Sequence, residues 1–390
     1  MIIYGLLLLF LASSLPIGPV EAKIIFLKQG WLHELELILY RLAPQETLVR
    51  LPQILVTLVN VYLYYRLSLR FLKPRLALFS AVLFSLLPAV LGAGVIVNEA
   101  PFIIFLTLVF LFLHFQNQIF AYIFALFLLF FDNSFSILFL SMALYYLYHK
   151  NYAWIYFFAL FFSSVILFGF DVSGKPKTYF LDTFLLFSAI FSPLLFFYYF
   201  YVIYRILIKE DKNIIWFISA TSFLFALVLS FRQRIYLIDF APFAVIGTLL
   251  MVKIYFRTLR VRLRKYRRKH IVLFWVVLAT LLGSDLLLIF HAQLFGTLFK
   301  EHHFAYRNYL GFAVVKKLKE HNLSCVSTPQ RSLQAQLQFY GIFECPRRRL
   351  TLDKLKGLEV RYRGVFLGKI HVSNSNSKKT DVTKINITKE

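Results

Sequence analysis

Between Arg75 and Glu99 the chain reads LALFSAVLFSLLPAVLGAGVIVN, with no ionisable side chain. About 20 apolar residues in a helix cross a bilayer core. In hydrocarbon only a structure that pairs its own backbone groups survives. A run of this kind restricts its segment to a buried or spanning helix. Such runs recur along the chain. They predict spans at about 1–19, 51–70, 76–97, 100–115, 118–131, 135–148, 152–170, 182–204, 214–231, 235–253 and 271–290. Three of them, from 100 to 148, are short and separated only by Gln116-Asn117 and Asp132-Asn133. Residues are 59% hydrophobic and the mean hydropathy is +0.70, above the roughly 45–50% apolar content of soluble domains. The expected fold is a polytopic α-helical membrane protein of about eleven transmembrane helices, carrying a small C-terminal extracytoplasmic α/β domain. The 46 Phe add little, because any bulky apolar side chain satisfies lipid.

Positive charge orients the spans. With the N-terminus cytoplasmic, the inner loops carry Arg66, Arg70, Lys73, Arg75, Lys150, Arg205, Lys209, Lys212 and nine Lys/Arg between Lys253 and Lys269. The outer loops before residue 290 hold eight: Lys23, Lys28, Arg41, Arg50, Lys175, Lys177, Arg232 and Arg234. The excess belongs inside. The expected location is a cell (inner) membrane, with residues 291–390 extracytoplasmic or periplasmic. The net charge of +24 divides between loop anchors that touch anionic lipid and a basic tail domain. It does not call for nucleic acid.

The organisation expected is a multi-pass domain over 1–290, with an outer loop at 20–50 containing interfacial helices, an α/β domain over 291–372, and a disordered polar tail over 373–390. In the loop, EAKIIFLKQGWLHELELILYRLA places apolar residues on one face and charges on the other, and Trp31 and Tyr40 suit an interface. In the tail domain, NLSCVSTPQRSLQAQLQFYGIFECPRRRL reads as strand, helix, strand, with the helix at about Gln330–Tyr340 and Leu333, Leu337 and Phe339 on one face. A further strand is expected in YRGVFLGKIHV. Cys325 and Cys345 fit a disulfide between corresponding points of the two strands or two buried thiols. The sequons at Asn322 and Asn386 are short and common by chance.

Familiar soluble chemistry finds no footing. There is no Gly-rich phosphate loop and no GxSxG. HELE at His33 lacks the second His of a zinc motif, and His302-His303 has no partner at zinc spacing. No cofactor is called for, and a divalent metal has no support. The informative set is polar groups at the outer ends of spans: Glu21 after the first, Glu99 in IVNEAPF, and Arg232, Arg234 and Tyr236 in FRQRIYLIDFAPF, with Asp239 one turn deeper. Ionisable groups at membrane depth are costly and usually functional. Two guanidinium groups match phosphate oxygens, and a carboxylate near an acceptor hydroxyl or amine takes its proton. Together they suit sugar transfer from a lipid phosphate. Singly, each has a plainer reading. Glu21 is then a loop charge, Glu99 a helix-start acid beside Asn98 and Pro101, and the arginines snorkel to headgroups.

These segments resemble the GT-C membrane glycosyltransferases of the protein-mannosyltransferase and lipid A aminoarabinose-transferase type. The best match is ETLVRLPQILVTLVNVYLYYRLSLRFL, an acid, then RLP, then a helix with a basic inner end. RQRIYLIDFAPFAVI is similar to the family's basic-Tyr-Leu segment, and STPQRSLQAQLQFYG to the strand-helix FY unit of its outer domain. The resemblance implies a polyprenyl-phosphate sugar donor, a lipid, glycan or protein acceptor, and inverting transfer on the outer face. It assigns Glu21 and Glu99 as the catalytic carboxylates, Arg232, Arg234 and Tyr236 to the donor phosphate, and Arg50 to ordering the first loop. Asp239 falls where relatives are often apolar. The resemblance also expects an acid just past a retained first helix, so VEA at Val20–Ala22 is not a signal-peptidase site; MIIYG lacks the basic start of a signal peptide. Two other readings are a transporter or flippase for a lipid-linked sugar and an inactive membrane scaffold. Against transport, the sequence displays no inverted repeat and no pair of Gly/Pro-broken central helices.

Overall fold

A computed structural model describes residues 1–28, 30–169, 178–295, 305–346, 348–353 and 358–374. The chain forms two compact units. One comprises Met1–Ala12 and Arg50–Phe290, the other Ser13–Val49 and His291–Glu390. Of the loop expected at 20–50 in the membrane domain, residues 20–49 belong to the second unit and Arg50 to the first.

The first unit is helical throughout. Two of its helices, Leu237–Val261 and Lys265–Ile289, are long and apolar enough to cross a membrane. Among the described residues there are up to five such spans if each sharply bent helix pair counts as one. Shorter apolar helices cover Ala100–Gln116, Gln118–Leu129, Phe135–Tyr148, Ala153–Phe168 and Ile214–Ser230. The breaks expected in the 100–148 region fall where the sequence placed them. The Asn117 side chain accepts from the Ile119 N–H (2.9 Å), and Asp132 accepts from the Ser134 N–H (2.8 Å), so each polar residue captures an N–H that a starting helix leaves unpaired.

Proline changes two expected spans. The run at 76–97 is a pair, Pro74–Ser85 and Pro88–Val95, bent by 59°. The run at 182–204 is Phe180–Phe191 and Pro193–Lys209, bent by 104°. Pro88 and Pro193 lack an N–H and push the preceding residue out of helical geometry. Leu87 has ψ 129°, and Ser192 adopts φ 78°. The sequence reading of unbroken central helices is therefore corrected. The span expected at 1–19 likewise ends at Ser14, two residues before Pro16.

The phenylalanines also do more than face lipid. Phe84, Phe110, Phe135, Phe139, Phe157, Phe187, Phe191 and Phe196 are fully buried between helices. Phe84 stacks on Tyr64 at 4.2 Å and Phe191 on Tyr199 at 4.5 Å. These ring contacts pack one helix against the next.

The second unit joins helices Pro19–Phe26, Trp31–Leu42, Tyr306–Glu320 and Arg331–Phe339 to a three-stranded antiparallel sheet. Its strands are β1 (Arg348–Asp353), β2 (Leu358–Tyr362) and β3 (Val365–Asn374), ordered β1-β3-β2. The helix expected at Gln330–Tyr340 spans Arg331–Phe339 and buries Leu333, Leu337 and Phe339. Its expected flanking strands shrink to isolated parallel bridges, Cys325 to Phe343 and Ser327 to Arg349. The strand expected in YRGVFLGKIHV is β3, which begins at Val365, with a turn before it that joins it to β2 as a hairpin. Arg363 (φ 48°) and Gly364 (φ 82°) both turn left-handed, the geometry of tight two-residue hairpin loops. Residues 375–390 of the expected tail, His302-His303, and Lys175 and Lys177 lie outside the described residues.

Cys325 and Cys345 form a disulfide, with Cα atoms 5.5 Å apart. It closes a loop of 20 residues and ties the two bridging segments beside the helix between them. Peptide mapping without reductant is expected to yield the two cysteine peptides as one linked species. Cys325→Ser is expected to destabilise the second unit by about 3 kcal/mol, read as a shift in its thermal unfolding.

Candidate functional site

The carboxylate nominated first, Glu21, lies in the second unit. Pro19 opens the helix Pro19–Phe26, and Glu21 sits two positions on. Its Oε2 accepts the Gly18 N–H at 2.7 Å, and the residue is 1% exposed. An acid in the first turn satisfies an orphan N–H and faces the positive helix end. Around it, LPIGP is held from several sides. The Asn308 amide donates to the Pro16 carbonyl (3.0 Å) and the Gln336 amide to the Ile17 carbonyl (2.6 Å). The Ile17 N–H donates to the Tyr340 hydroxyl (3.0 Å), which donates to Glu46. Gly311 makes room, since a Cβ there would overlap the Gln336 amide. The Phe339-Tyr340 pair singled out in the sequence thus grips the first loop. The partners Asn308, Gln336 and Glu46 were missed; no spacing links residues some 300 positions apart. Within the same unit the face of Trp31–Leu42 turned inward carries Glu36 as well as Leu32, which corrects the expectation that its charges all face out.

In the first unit, Arg50 is fully buried and donates from Nη1 to the Ala12 carbonyl at 2.7 Å. That carbonyl would ordinarily accept from residue 16, which is Pro16 and has no N–H. Glu99 is half-buried at the start of the helix Ala100–Gln116. Beside it the Asn98 side chain accepts from the Ala100 N–H (2.9 Å) and donates to the Ala93 (2.9 Å) and Ile96 (2.6 Å) carbonyls. Asn98 is the capping side chain there.

Arg234, Tyr236 and Asp239 come together. They line a cavity of about 90 Å³ with Asn133, Ser134 and Gln233, walled by Val165, Phe225 and Leu229. Asp239 is half-buried and accepts from the Ser134 hydroxyl at 3.3 Å. The Gln233 carbonyl oxygen is buried without a hydrogen-bond partner among the described residues. Arg234 and Tyr236 are exposed. The chain reaches this geometry because the helix Ile214–Ser230 ends and Leu237–Val245 begins within six residues. Those six residues present Gln233, Arg234 and Tyr236 to the cavity. Arg232, though on the same turn, is not among the cavity residues, and neither is Glu99. A cation, a phenol, a hydroxyl and a carboxylate against an apolar wall can hold an oxyanion and take up a proton.

A second polar group escaped sequence reading. Asp285 lies in the helix Arg264–Ile289, is 4% exposed, and neither carboxylate oxygen has a hydrogen-bond partner among the described residues. Tyr4 is within electrostatic reach of it and donates to the Ser85 carbonyl at 2.9 Å, beside the break before Pro88. The signal was available, because Asp285 is the one acid in the run 271–290. A buried stripe along Leu51–Ser68 was missed too: Gln53, Thr57, Asn60, Tyr64 and Ser68 recur at helical spacing. Asn60 donates to the Pro101 carbonyl at 2.7 Å, and Gly94 leaves room for Thr57. No group of three or more His, Cys, Asp or Glu able to hold a metal ion occurs among the described residues.

The chain matches no protein-family model, no curated protein and no solved structure.

Two substitutions separate structural from chemical roles. Glu21→Ala is expected to cost about 1–2 kcal/mol through loss of the helix-start hydrogen bond, whereas Glu21→Gln keeps an acceptor and loses less. Asp285→Val is expected to raise stability by about 1–3 kcal/mol, because it removes an unpartnered buried carboxyl. Thermal unfolding of the purified protein in detergent reads both.

Proposed function

We propose that the chain transfers a sugar from a polyprenyl-phosphate donor to a lipid, glycan or protein acceptor at the outer face of a cell membrane, as a multi-pass enzyme of GT-C type with about eleven spans. The observation that carries this reading is the cavity setting Arg234 and Tyr236 beside Asp239 against an apolar wall. An amphiphile with a phosphate at the end of a hydrocarbon chain has the matching chemistry. The Arg234 guanidinium forms a fork to phosphate oxygens, and the Tyr236 hydroxyl adds a donor. Arg232, on the same turn, contributes charge from the rim.

The acceptor hydroxyl gives its proton to a carboxylate while its oxygen bonds to the anomeric carbon. The bond from that carbon to the phosphate oxygen breaks, and the electron pair leaves on the phosphate. Attack opposite the leaving phosphate inverts the anomeric centre. Arg234 stabilises the charge that grows on the leaving group. In this reading Asp239 is the base, since it faces the cavity. Glu21, which the family resemblance nominates, already accepts a backbone hydrogen bond as a helix-start acid, and Glu99 stands outside the cavity lining. Both belong in the test.

Cell-surface lipids and glycans from a deletion strain, compared by mass with those from the parent, identify the product. Asp239→Asn and Arg234→Gln are each expected to reduce transfer by about 10²-fold or more in protein that remains folded and membrane-inserted. Full activity in Asp239→Asn with loss in Glu21→Gln would return the base to Glu21. Full activity in all three, with Arg234→Gln included, removes the transferase reading.

One set of observations favours a second reading, a transporter or flippase for a lipid-linked sugar. The Pro-broken helix Pro88–Val95 packs on the helix carrying Asp285, as does Pro193–Lys209. Discontinuous helices around a membrane-embedded acid are the parts from which transporters build coupled sites. Movement of the lipid-linked sugar with no covalent product, abolished by Asp285→Asn, decides for that reading.

A further inference from the structure

The basic end of the first unit contains cations of two kinds. Most have partners. Arg66 donates to the Tyr62 hydroxyl at 3.2 Å. The Arg70 guanidinium lies over Phe115 at 5.1 Å and Phe112 at 5.8 Å, and the Lys253 ammonium over Phe71 at 5.8 Å. Arg205 and Arg257 share the Glu210 carboxylate at 3.5 and 2.9 Å. Three of the others share one place. The side chains of Lys73, Arg75 and Arg260 have no ion pair, hydrogen bond or ring contact among the described residues. All three line one cavity of about 510 Å³, together with Pro74, Leu76 and Phe256.

The cavity lies between two packed helices, Pro74–Ser85 and Thr248–Val261. No acid lines it. Like charges lining one cavity without a counter-charge repel one another, and a bound anion lowers that cost. The walls narrow the choice of anion. Leu76 and Phe256 are only partly covered, and Pro74 is exposed. Arg75, Leu78 and Val82 follow one another at i, i+3 and i+7, hence on one face of the helix. Leu78 and Val82 are 59% and 46% exposed. A phosphate carried on a hydrocarbon chain can use the cations and this apolar stripe together; a free phosphate uses only the cations.

We propose that this cavity binds the phosphate headgroup of an anionic phospholipid, with an acyl chain lying along Leu78 and Val82. Basic pockets between membrane helices on the positively charged side hold such headgroups. The site is separate from the cavity at Arg234 and does not depend on the transferase reading. It turns a general attraction between basic loops and anionic lipid into one defined binding place.

The test uses the full chain purified in mild detergent and native mass spectrometry. Phosphatidylglycerol and phosphatidylcholine of identical acyl chains are added in turn, and inorganic phosphate is added as a competitor. Phosphatidylglycerol is expected to be retained and phosphatidylcholine not. Single replacements Lys73→Gln, Arg75→Gln and Arg260→Gln are each expected to weaken retention about fivefold, and the triple replacement to bring it to the phosphatidylcholine level. Arg66→Gln, whose partner is Tyr62, is expected to leave it unchanged. Equal retention of both lipids, or full retention by the triple variant, overturns the proposal. Displacement of the lipid by millimolar inorganic phosphate assigns the cavity to a free anion and overturns the lipid assignment. Should the triple variant fail to fold, the three single variants decide on the same criteria.

Discussion

A carbonyl that loses its helical partner must find another, and much of the first unit follows from that requirement. Proline supplies the losses. Pro16 leaves the Ala12 carbonyl without its ordinary donor, and Arg50 takes its place across 38 residues of sequence. The break before Pro88 leaves the Ser85 carbonyl to Tyr4. The end of Pro88–Val95 leaves Ala93 to Asn98. In surroundings without water an unpaired backbone group costs several kcal/mol, so these polar side chains are spent on the backbone. They appear where helices end or bend, and they bind segments far apart in the chain.

The same requirement identifies the groups left over. Once side chains that serve the backbone are set aside, several charged or strongly polar groups of the first unit gather in two cavities, and one acid is buried elsewhere. Arg234 and Tyr236 face one cavity with Asp239, and Lys73, Arg75 and Arg260 face another. Asp285 is buried without a hydrogen bond. These are three different settings: a cation and a phenol beside a carboxylate, a cavity lined by three cations and no acid, and a buried acid beside a broken helix. The candidate functions of the chain attach to these places. In the second unit the accounting is different, because there Glu21, Tyr340 and Gln336 hold the segment Pro16–Gly18.

Much of the helical pattern was legible from periodicity and breaks. Asn117 and Asp132 mark helix starts in the sequence and in the structure. The helix around Leu333 was placed to within a residue at each end. Strand reading fared less well. The two strands expected around that helix are single bridges, whereas the strand expected in YRGVFLGKIHV is present from Val365 on, after a turn at Arg363-Gly364. The local run of apolar residues looks the same whether the chain continues or turns; the left-handed conformation of two adjacent residues makes the difference. Of the candidate site, Arg234, Tyr236 and Asp239 were legible because charged groups stand out against an apolar background. The burial of Glu21 as a helix-start acid was not legible, because its plainer reading was a loop charge and the helix opened by Pro19 was not foreseen.

From sequence alone come the dominance of apolar helices, the places where polar residues interrupt them, and a short basic segment with a carboxylate one turn deeper. These follow from local periodicity and from the cost of charge in apolar surroundings, both of which act over a few residues. Tertiary structure alone decided which polar groups are occupied and which are free to meet a ligand. A carbonyl at Ala12 and a guanidinium at Arg50, or a hydroxyl at Ser134 and a carboxylate at Asp239, become partners only when the helices pack. The energy of a buried polar group depends on what it faces in space, not on its neighbours in the chain.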